Sequence, residues 1–389
     1  MPDAYLLGAG QSDFGSFPEE SYRSLFDDAF DECLASVDGD FQAERIDEAF
    51  LGTLGVGGRQ LGLSAPAVTE HLGLHGLPTT RVENACAASG FALRSAVTAV
   101  RAGMADVALA GGYEVMTDTS ADRTKWWLGV SGETEWERLS GTTFAGVYAQ
   151  MADAYLREHD ATVDDLSRVA VKNHRNGAQN PHAHLGFECS LEDATNAAEV
   201  AAPLTLFHCC PTTDGASAAL VVSEEVAREY ADDPIRIAGS GAASGRVGLF
   251  QRDSLTRIPA TESAAERAYD DAGLAPDDVD VAEVHDCFAI AELLAYEGLG
   301  FCERGEAPEL LREGRTDPDG DVAVNTSGGL KSKGHPIGAT GTGQAVEVFH
   351  QLGGDAHVQV EGASVGLTHN VGGSGGGAAV HVFEREGGR

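Results

Sequence analysis

Apolar and polar positions along this chain switch repeatedly between short strand-like runs and stretches with a helical period. Over residues 1–117 the pattern predicts strands at Ala4–Gly8, Glu48–Leu54, Thr79–Glu83 and Val107–Ala110. Helices are expected between them at Glu20–Val37, Ala65–Leu72 and Ala87–Ala102, the last with Phe91, Leu93, Val97 and Val100 on one apolar face. Residues 231–389 repeat the succession, with strands at Ile235–Gly239, Val281–Val284 and Val322–Asn325, helices at Ser263–Ala272, Ala289–Leu299 and Gly341–Leu352, and two closing strands. Strands separated by helices predict an α/β fold in layers with mainly parallel sheets. Residues 118–230 break the rhythm with Trp126-Trp127, polar turns and two helices at Phe144–His159 and Val163–Ala178. They read as an inserted cover region that returns to the first core near Cys210-Pro211 and Asp214-Gly215. A chain of 389 residues exceeds what one hydrophobic core organises, which fits two core-forming halves.

The halves also echo each other in chemistry. Cys86, in Val82-Glu-Asn-Ala-Cys86-Ala-Ala-Ser-Gly90, stands where a strand-like run gives way to a helical one. A helix N-terminus favours thiolate over thiol, as a nucleophilic cysteine requires; the competing reading is a buried structural cysteine. His335, in Gly334-His335-Pro336-Ile-Gly338, likewise precedes a helix. Two further motifs are Glu283-Val-His285-Asp286-Cys287-Phe288 and the glycine run Asn370-Val-Gly372-Gly373-Ser-Gly-Gly-Gly377. Glycine in such a run permits close approach of backbone N–H groups to a developing oxyanion. Gly8-Ala-Gly10 does not complete a dinucleotide-binding fingerprint.

These four motifs in this order resemble the thiolase family, and the resemblance spans essentially the whole chain. It implies a duplicated five-layer αβαβα fold with an inserted loop domain, acyl-CoA substrates and an acyl-cysteine intermediate. By this resemblance Cys86 is the nucleophile and His335 its activating base. The chain departs from the familiar pattern at two places: His285-Asp286-Cys287-Phe288 stands where Asn-Glu-Ala-Phe is usual, and Asn370 replaces a cysteine. This form is similar to the sterol-carrier-protein type and its archaeal relatives, as are the segments around Tyr148 and Lys172. The second acid/base is then Cys287 or His285, with Asn370, Gly372 and Gly373 supporting an oxyanion or substrate. Lys331, Ser332 and Lys333 are candidates for contact with the coenzyme. The family implies a homodimer or homotetramer, and a small OB-fold, zinc-ribbon partner protein in archaeal relatives. Competing readings are a ketoacyl synthase, a 3-hydroxy-3-methylglutaryl-CoA synthase-like condensing enzyme, or an acyl-CoA-binding subunit without turnover.

Charge narrows the picture further. A net charge of −35 argues against nucleic acid and anionic membrane surfaces as partners. The chain has only four lysines, Lys125, Lys172, Lys331 and Lys333. Acid-rich, lysine-poor composition is similar to that of salt-loving archaeal enzymes, in which molar salt screens self-repulsion. Seven cysteines without framework spacing fit a reducing cytoplasm, and the absence of a CxxC pair leaves no expected zinc site. No metal or redox cofactor is expected, and no apolar run approaches the length of a membrane span.

Overall fold

The computed structural model describes residues 2–387. Its first half runs β1 (Ala4–Gln11), α1 (Tyr22–Ala35), β2 (Glu48–Gly52), α2 (Ser64–His71), β3 (Thr79–Val82), α3 (Ala88–Arg101) and β4 (Val107–Glu114). Next come α4 (Ala121–Leu128), α5 (Phe144–Glu158), α6 (Val163–Gly177), α7 (Leu191–Thr195) and the hairpin of β5 (Glu199–Ala201) and β6 (Leu204–Thr205). The chain then re-enters the first half with β7 (Gly215–Ser223) and α8 (Glu224–Tyr230). The second half starts with β8 (Ile235–Ser244), α9 (Pro259–Ala272), β9 (Val281–Glu283), α10 (Ala289–Gly298) and α11 (Ala307–Arg312). It ends with β10 (Ala323–Val324), α12 (Gly329–Ser332), α13 (Thr340–Gly353), β11 (Val365–Gly372) and β12 (Gly377–Arg385).

Ten strands form one hydrogen-bonded sheet in the order β10-β9-β11-β12-β8-β1-β7-β4-β2-β3. Read outward from the centre, β1-β7-β4-β2-β3 and β8-β12-β11-β9-β10 match strand for strand. In each half the first two pairings are antiparallel and the next two parallel. The sheet is therefore mixed, not mainly parallel. Residues 373–376 alone separate β11 from β12, too few for a crossover, so β12 has to turn back antiparallel. β7 occupies the matching place in the first half.

Helices α3 and α13 are covered by both halves of the sheet, α3 touching β4 and β12, α13 touching β7 and β11. Leu93 and Val97 of α3 and Val346 and Val348 of α13 share a core with Leu6, Ala219 and Ile237. On the outer faces, Phe26 and Phe30 of α1 pack with Leu7 and Leu220, and Ala264 and Ala268 of α9 belong to a core with Leu293 and Val380. Five layers result, helix and sheet in alternation. The two central helices cross where glycine is required: a Cβ on Gly341 would lie 2.3 Å from the Gly90 nitrogen. That close crossing brings the N-terminal ends of α3 and α13, and the residues preceding them, to one place. No helix among the described residues is long and apolar enough to cross a membrane.

Candidate active site

Between β3 and α3 the chain turns through Ala85, whose φ of +50° is left-handed for a residue with a side chain. Such a conformation costs about 1–3 kcal/mol and persists only where the surroundings hold it. The Glu83 carboxylate accepts the Ala85 N–H at 2.7 Å, and the Asn84 carbonyl accepts the Ala87 N–H at 3.0 Å. The turn presents Cys86, 8% exposed, to a cavity of ≈ 120 Å³. Cys210, Cys287, Phe288, His335 and Gly373 line the same cavity. The thiolate expected from the helix start is not the resting state. Burial pushes the Cys86 thiol up to about 12, against the opposing backbone hydrogen bonds of Gly373 and Cys86 itself. Helix α3 begins only at Ala88, so Cys86 lies outside the first turn, where the dipole is effective. A thiol so placed needs a base.

His335 supplies one, and its hydrogen bonds fix its tautomer. Thr340 Oγ1 donates to the Pro336 carbonyl at 2.9 Å, so it must accept from His335 Nδ1 at 2.7 Å. The proton of the neutral ring therefore sits on Nδ1, and Nε2 keeps its lone pair. Burial pushes the imidazole down to about 3, so the ring is neutral at rest. Ring nitrogens of His335 and His285 and the Cys86 sulfur all lie within 4.8 Å of one another. The two imidazoles meet edge to face with centroids 5.0 Å apart.

His285 is set the other way round by Asn370. The Asn370 Oδ1 accepts the Gly90 N–H at 3.3 Å, which orients the amide. Its Nδ2 then donates to the Cys86 carbonyl at 3.0 Å and to His285 Nδ1 at 3.2 Å. With Nδ1 accepting, the His285 proton is on Nε2, and that atom has no hydrogen-bond partner among the described residues. Burial, with His335 and His369 nearby, pushes His285 well below the ordinary histidine range. It stands as a neutral N–H donor. Cys86, His285 and His335 form the group that could hold a metal ion by spacing alone. A ring locked with its proton on Nε2 offers no lone pair there, so this donor set fits hydrogen bonding to an oxyanion and not metal ligation.

Cys287 ends the segment after β9. The Cys210 N–H donates to its carbonyl at 3.0 Å, and Cys209 bridges antiparallel to Phe288. Burial, then the neighbouring Cys210 and Cys86 thiols, push Cys287 well above the ordinary range. Tyr148, on α5, donates its hydroxyl proton to the Gly373 carbonyl at 3.0 Å and stacks on Phe288 at 4.6 Å. Gly373 takes φ of +61°, and a Cβ on Gly372 would lie 2.6 Å from the Asn84 carbonyl, so the run packs directly on the Cys86 turn.

Behind the motif lies a buried polar network. The Asp286 carboxylate accepts the Leu330 N–H at 2.7 Å, the Lys331 N–H at 3.2 Å and Asn173 Nδ2 at 2.7 Å. Glu292 pairs with Lys172 at 3.0 Å and accepts Asn173 and Asn325 at 2.7 Å. Asn325 in turn accepts the Val284 N–H at 2.8 Å. These contacts hold residues 283–288 in place.

The coenzyme assignment of Lys331, Ser332 and Lys333 is overturned by burial: all three side chains face the interior. Lys333 Nζ pairs with Glu347 at 3.0 Å and reaches the Gly343 carbonyl at 3.0 Å, and Ser332 Oγ donates to the Leu185 carbonyl at 2.7 Å. Residues with site roles that the sequence did not disclose are Tyr148, Thr340, Cys210 and Asn173. Tyr148 and Asn173 lay in segments already marked by their resemblance. Thr340, five residues after His335, was readable only as a helix start.

Comparison with known proteins agrees with this geometry. Residues 5–189 match the thiolase N-terminal domain and residues 241–385 the thiolase C-terminal domain-like family. An acetyl-CoA acetyltransferase of Methanothermobacter thermautotrophicus is 42% identical over 91% of this chain and 92% of its own length. Human sterol carrier protein 2 is 31% identical over 90% of this chain and 66% of its own. A solved structure described as an Ltp2-ChsH2(DUF35) aldolase superposes with a TM-score of 0.85 at 26% identity, covering 98% of both chains. The chain belongs to the thiolase family.

Proposed function

We propose that this protein catalyses reversible acyl transfer between acyl-CoA molecules, forming or cleaving 3-ketoacyl-CoA through an acyl-Cys86 intermediate. The observation that carries the reading is the meeting, at one ≈ 120 Å³ cavity, of Cys86, the free Nε2 of His335 and a second thiol, Cys287. In the first half-reaction the Cys86 proton moves to His335 Nε2 as sulfur attacks the thioester carbonyl. The Gly373 and Cys86 amides hold the oxyanion, and coenzyme A leaves as the thiol with the Cys287 proton, which makes Cys287 the thiolate. In the second, Cys287 thiolate takes the α-proton of another acyl-CoA. The His285 Nε2–H holds the enolate oxygen while the carbanion attacks acyl-Cys86, and the departing Cys86 sulfur takes back the proton from His335. Side chains and backbone amides carry every step, with coenzyme A thioesters as substrates and no metal or redox cofactor. Incubation with acetyl-CoA should leave an acetyl group on the Cys86 peptide, and acetoacetyl-CoA with coenzyme A should yield acetyl-CoA. Acylation without condensation or cleavage would point to a binding subunit; decarboxylation of a malonyl thioester would point to a ketoacyl synthase.

With the lysines buried, the coenzyme phosphates need other cations. A cavity of ≈ 360 Å³ lined by Gly245, Arg246, Arg252, Ser254, Arg257 and Gly375 offers them. Arg252 Nη2 donates to Ser374 Oγ at 3.1 Å, next to Gly373 of the reaction cavity, and its Nη1 has no partner among the described residues. Arg246 donates to the Gln251 carbonyl, and its one carboxylate partner among the described residues is the exposed Asp253, at 3.8 Å. Arg246→Glu is expected to raise KM for acetyl-CoA about tenfold, the scale of one charge contact near a surface. KM for an N-acetylcysteamine thioester, which lacks the phosphates, should not move; equal effects on both substrates would rule the site out.

The acyltransfer reading extends to three further points. The structural neighbour described as an Ltp2-ChsH2(DUF35) aldolase, with two components in its description, supports a small partner protein for this chain beside a homodimer or homotetramer. Likeness to sterol carrier protein 2 supports a place in lipid metabolism, and the seven cysteines, all free, support a reducing cytoplasm. The charge of −35 supports adaptation to salt. The melting temperature is then expected to rise by roughly 10 °C or more between about 0.1 and about 3 M potassium chloride, as self-repulsion is screened. An unchanged melting temperature would discard the salt adaptation.

A further inference from the structure

The apolar lining of the reaction cavity comes from two cores. Met116 and Ile337 are buried in one cluster with Cys86, Leu54 and Val56, and Leu128 packs against that cluster. Phe288 belongs to the core that holds Cys287, and Phe144 packs against it, half-buried. Phe144 opens α5, where the Oγ1 of the preceding Thr143 accepts the Gly146 N–H at 3.2 Å and caps the helix. One turn further along the same face, Tyr148 stacks on Phe288. The cap and the stack together fix which side of α5 meets the cavity.

Phe144 differs from the other lining residues in what lies beyond it. It is the residue shared between the lining of the reaction cavity and that of a second cavity, of ≈ 20 Å³, bounded also by Gly129, Gly132 and Val147. A Cβ on Gly132 would lie 3.8 Å from Cζ, the far end of the Phe144 ring, so the ring reaches across to that second cavity. Met116 and Ile337 have Leu54 and Val56 packed with them, whereas Phe144 is a partition between two spaces. The reaction cavity, at ≈ 120 Å³, has room for about four water-sized groups of about 30 Å³ each. The methyl and carbonyl carbons of two acetyl groups fill it.

We propose that Phe144 determines acyl-chain length: its ring ends the acyl site and confines the enzyme to short acyl groups, acetyl and propanoyl. The inference rests on the acyl-Cys86 reading of the cavity. A longer chain on Cys86 has to displace the ring, and each methylene that finds no room is worth about 10–200-fold in specificity. Without the ring the two cavities join, and the added space lies where a longer chain would extend. Phe144 faces the acyl chain and not the reacting atoms, so substituting it changes which thioester is accepted.

The test is acylation of Cys86 in the full chain by equimolar mixtures of two acyl-CoA thioesters. Mass spectrometry of the Cys86 peptide at early times reads the ratio of the two acyl labels. In the unsubstituted protein hexanoyl should fall at least about 100-fold below acetyl. Phe144→Ala should raise the hexanoyl-to-acetyl ratio by about 30-fold or more, and Phe144→Trp, with a larger ring, should lower the propanoyl-to-acetyl ratio about tenfold. A ratio taken within one sample does not depend on the fraction of protein folded, and a merely structural role for Phe144 would lower both labels alike. Equal hexanoyl and acetyl labelling of the unsubstituted protein, or ratios unmoved in both variants, overturns the proposal. If Phe144→Ala does not fold, Phe144→Leu decides: a raised hexanoyl ratio supports the partition, an unmoved one removes it. Absence of a label from every thioester would remove the acyl-Cys86 reading itself; labelling without regard to chain length removes only the role of Phe144.

Discussion

Cys86→Ala is expected to bring acyl transfer down by about 10⁴-fold or more, because Cys86 is the cavity thiol grouped with His335, the base that takes its proton. The sulfur is buried, but only one heavy atom is removed, so stability should change by about 1 kcal/mol or less. Mass spectrometry of peptides after exposure to acetyl-CoA should find the acetyl group on Cys86 in the unsubstituted protein and nowhere in the variant. Because burial holds the thiol at about 12 and His335 at about 3, both partners are neutral at rest. The proton is passed only as the carbon–sulfur bond forms. Iodoacetamide should therefore label Cys86 slowly, whereas acyl-CoA, seated beside His335, acylates it fast. An alanine variant that still turns over, or an acetyl group on another cysteine, would remove Cys86 from the mechanism.

Cys287→Ala carries the second large effect. Exchange of the α-proton and condensation should fall about 10²–10⁴-fold, the contribution of a general acid/base, while acylation of Cys86 continues. His285→Ala should behave differently, because the Asn370 amide leaves His285 with its proton on Nε2. Loss of that donor should slow exchange by about 10²–10³-fold with the pH midpoint unchanged. Cys287→Ala instead abolishes the pH-dependent limb. If His285→Ala eliminates the limb and Cys287→Ala does not, the imidazole is the base and the tautomer assignment is wrong.

Much of this was legible in the chain itself. Helix and strand periods located β1 to β4 and β8 to β10 within a few residues and expected two closing strands where β11 and β12 lie, because each element buries one face and the spacing of apolar residues records which. The junction positions of Cys86 and His335 were also legible, since a reactive residue at a strand-to-helix turn with flanking glycines leaves a local signature. Local sequence could not disclose what depends on residues distant along the chain. The helix start before Ala88 pointed to a thiolate at Cys86, yet enclosure by Cys210, Cys287 and Gly373 outweighs it. The choice between donor and base at His285 and His335 rests on Asn370 and Thr340, through hydrogen bonds whose direction only folding sets. Lys331 and Lys333 stand two positions apart and looked alike in sequence. In the fold one nitrogen meets Glu347 and the other meets no hydrogen-bond partner among the described residues, because what surrounds a charge is a property of the tertiary structure. Composition and period determined the layers and where the reactive residues sit in them. Burial and long-range hydrogen bonds decided which of those residues holds a proton and which takes one.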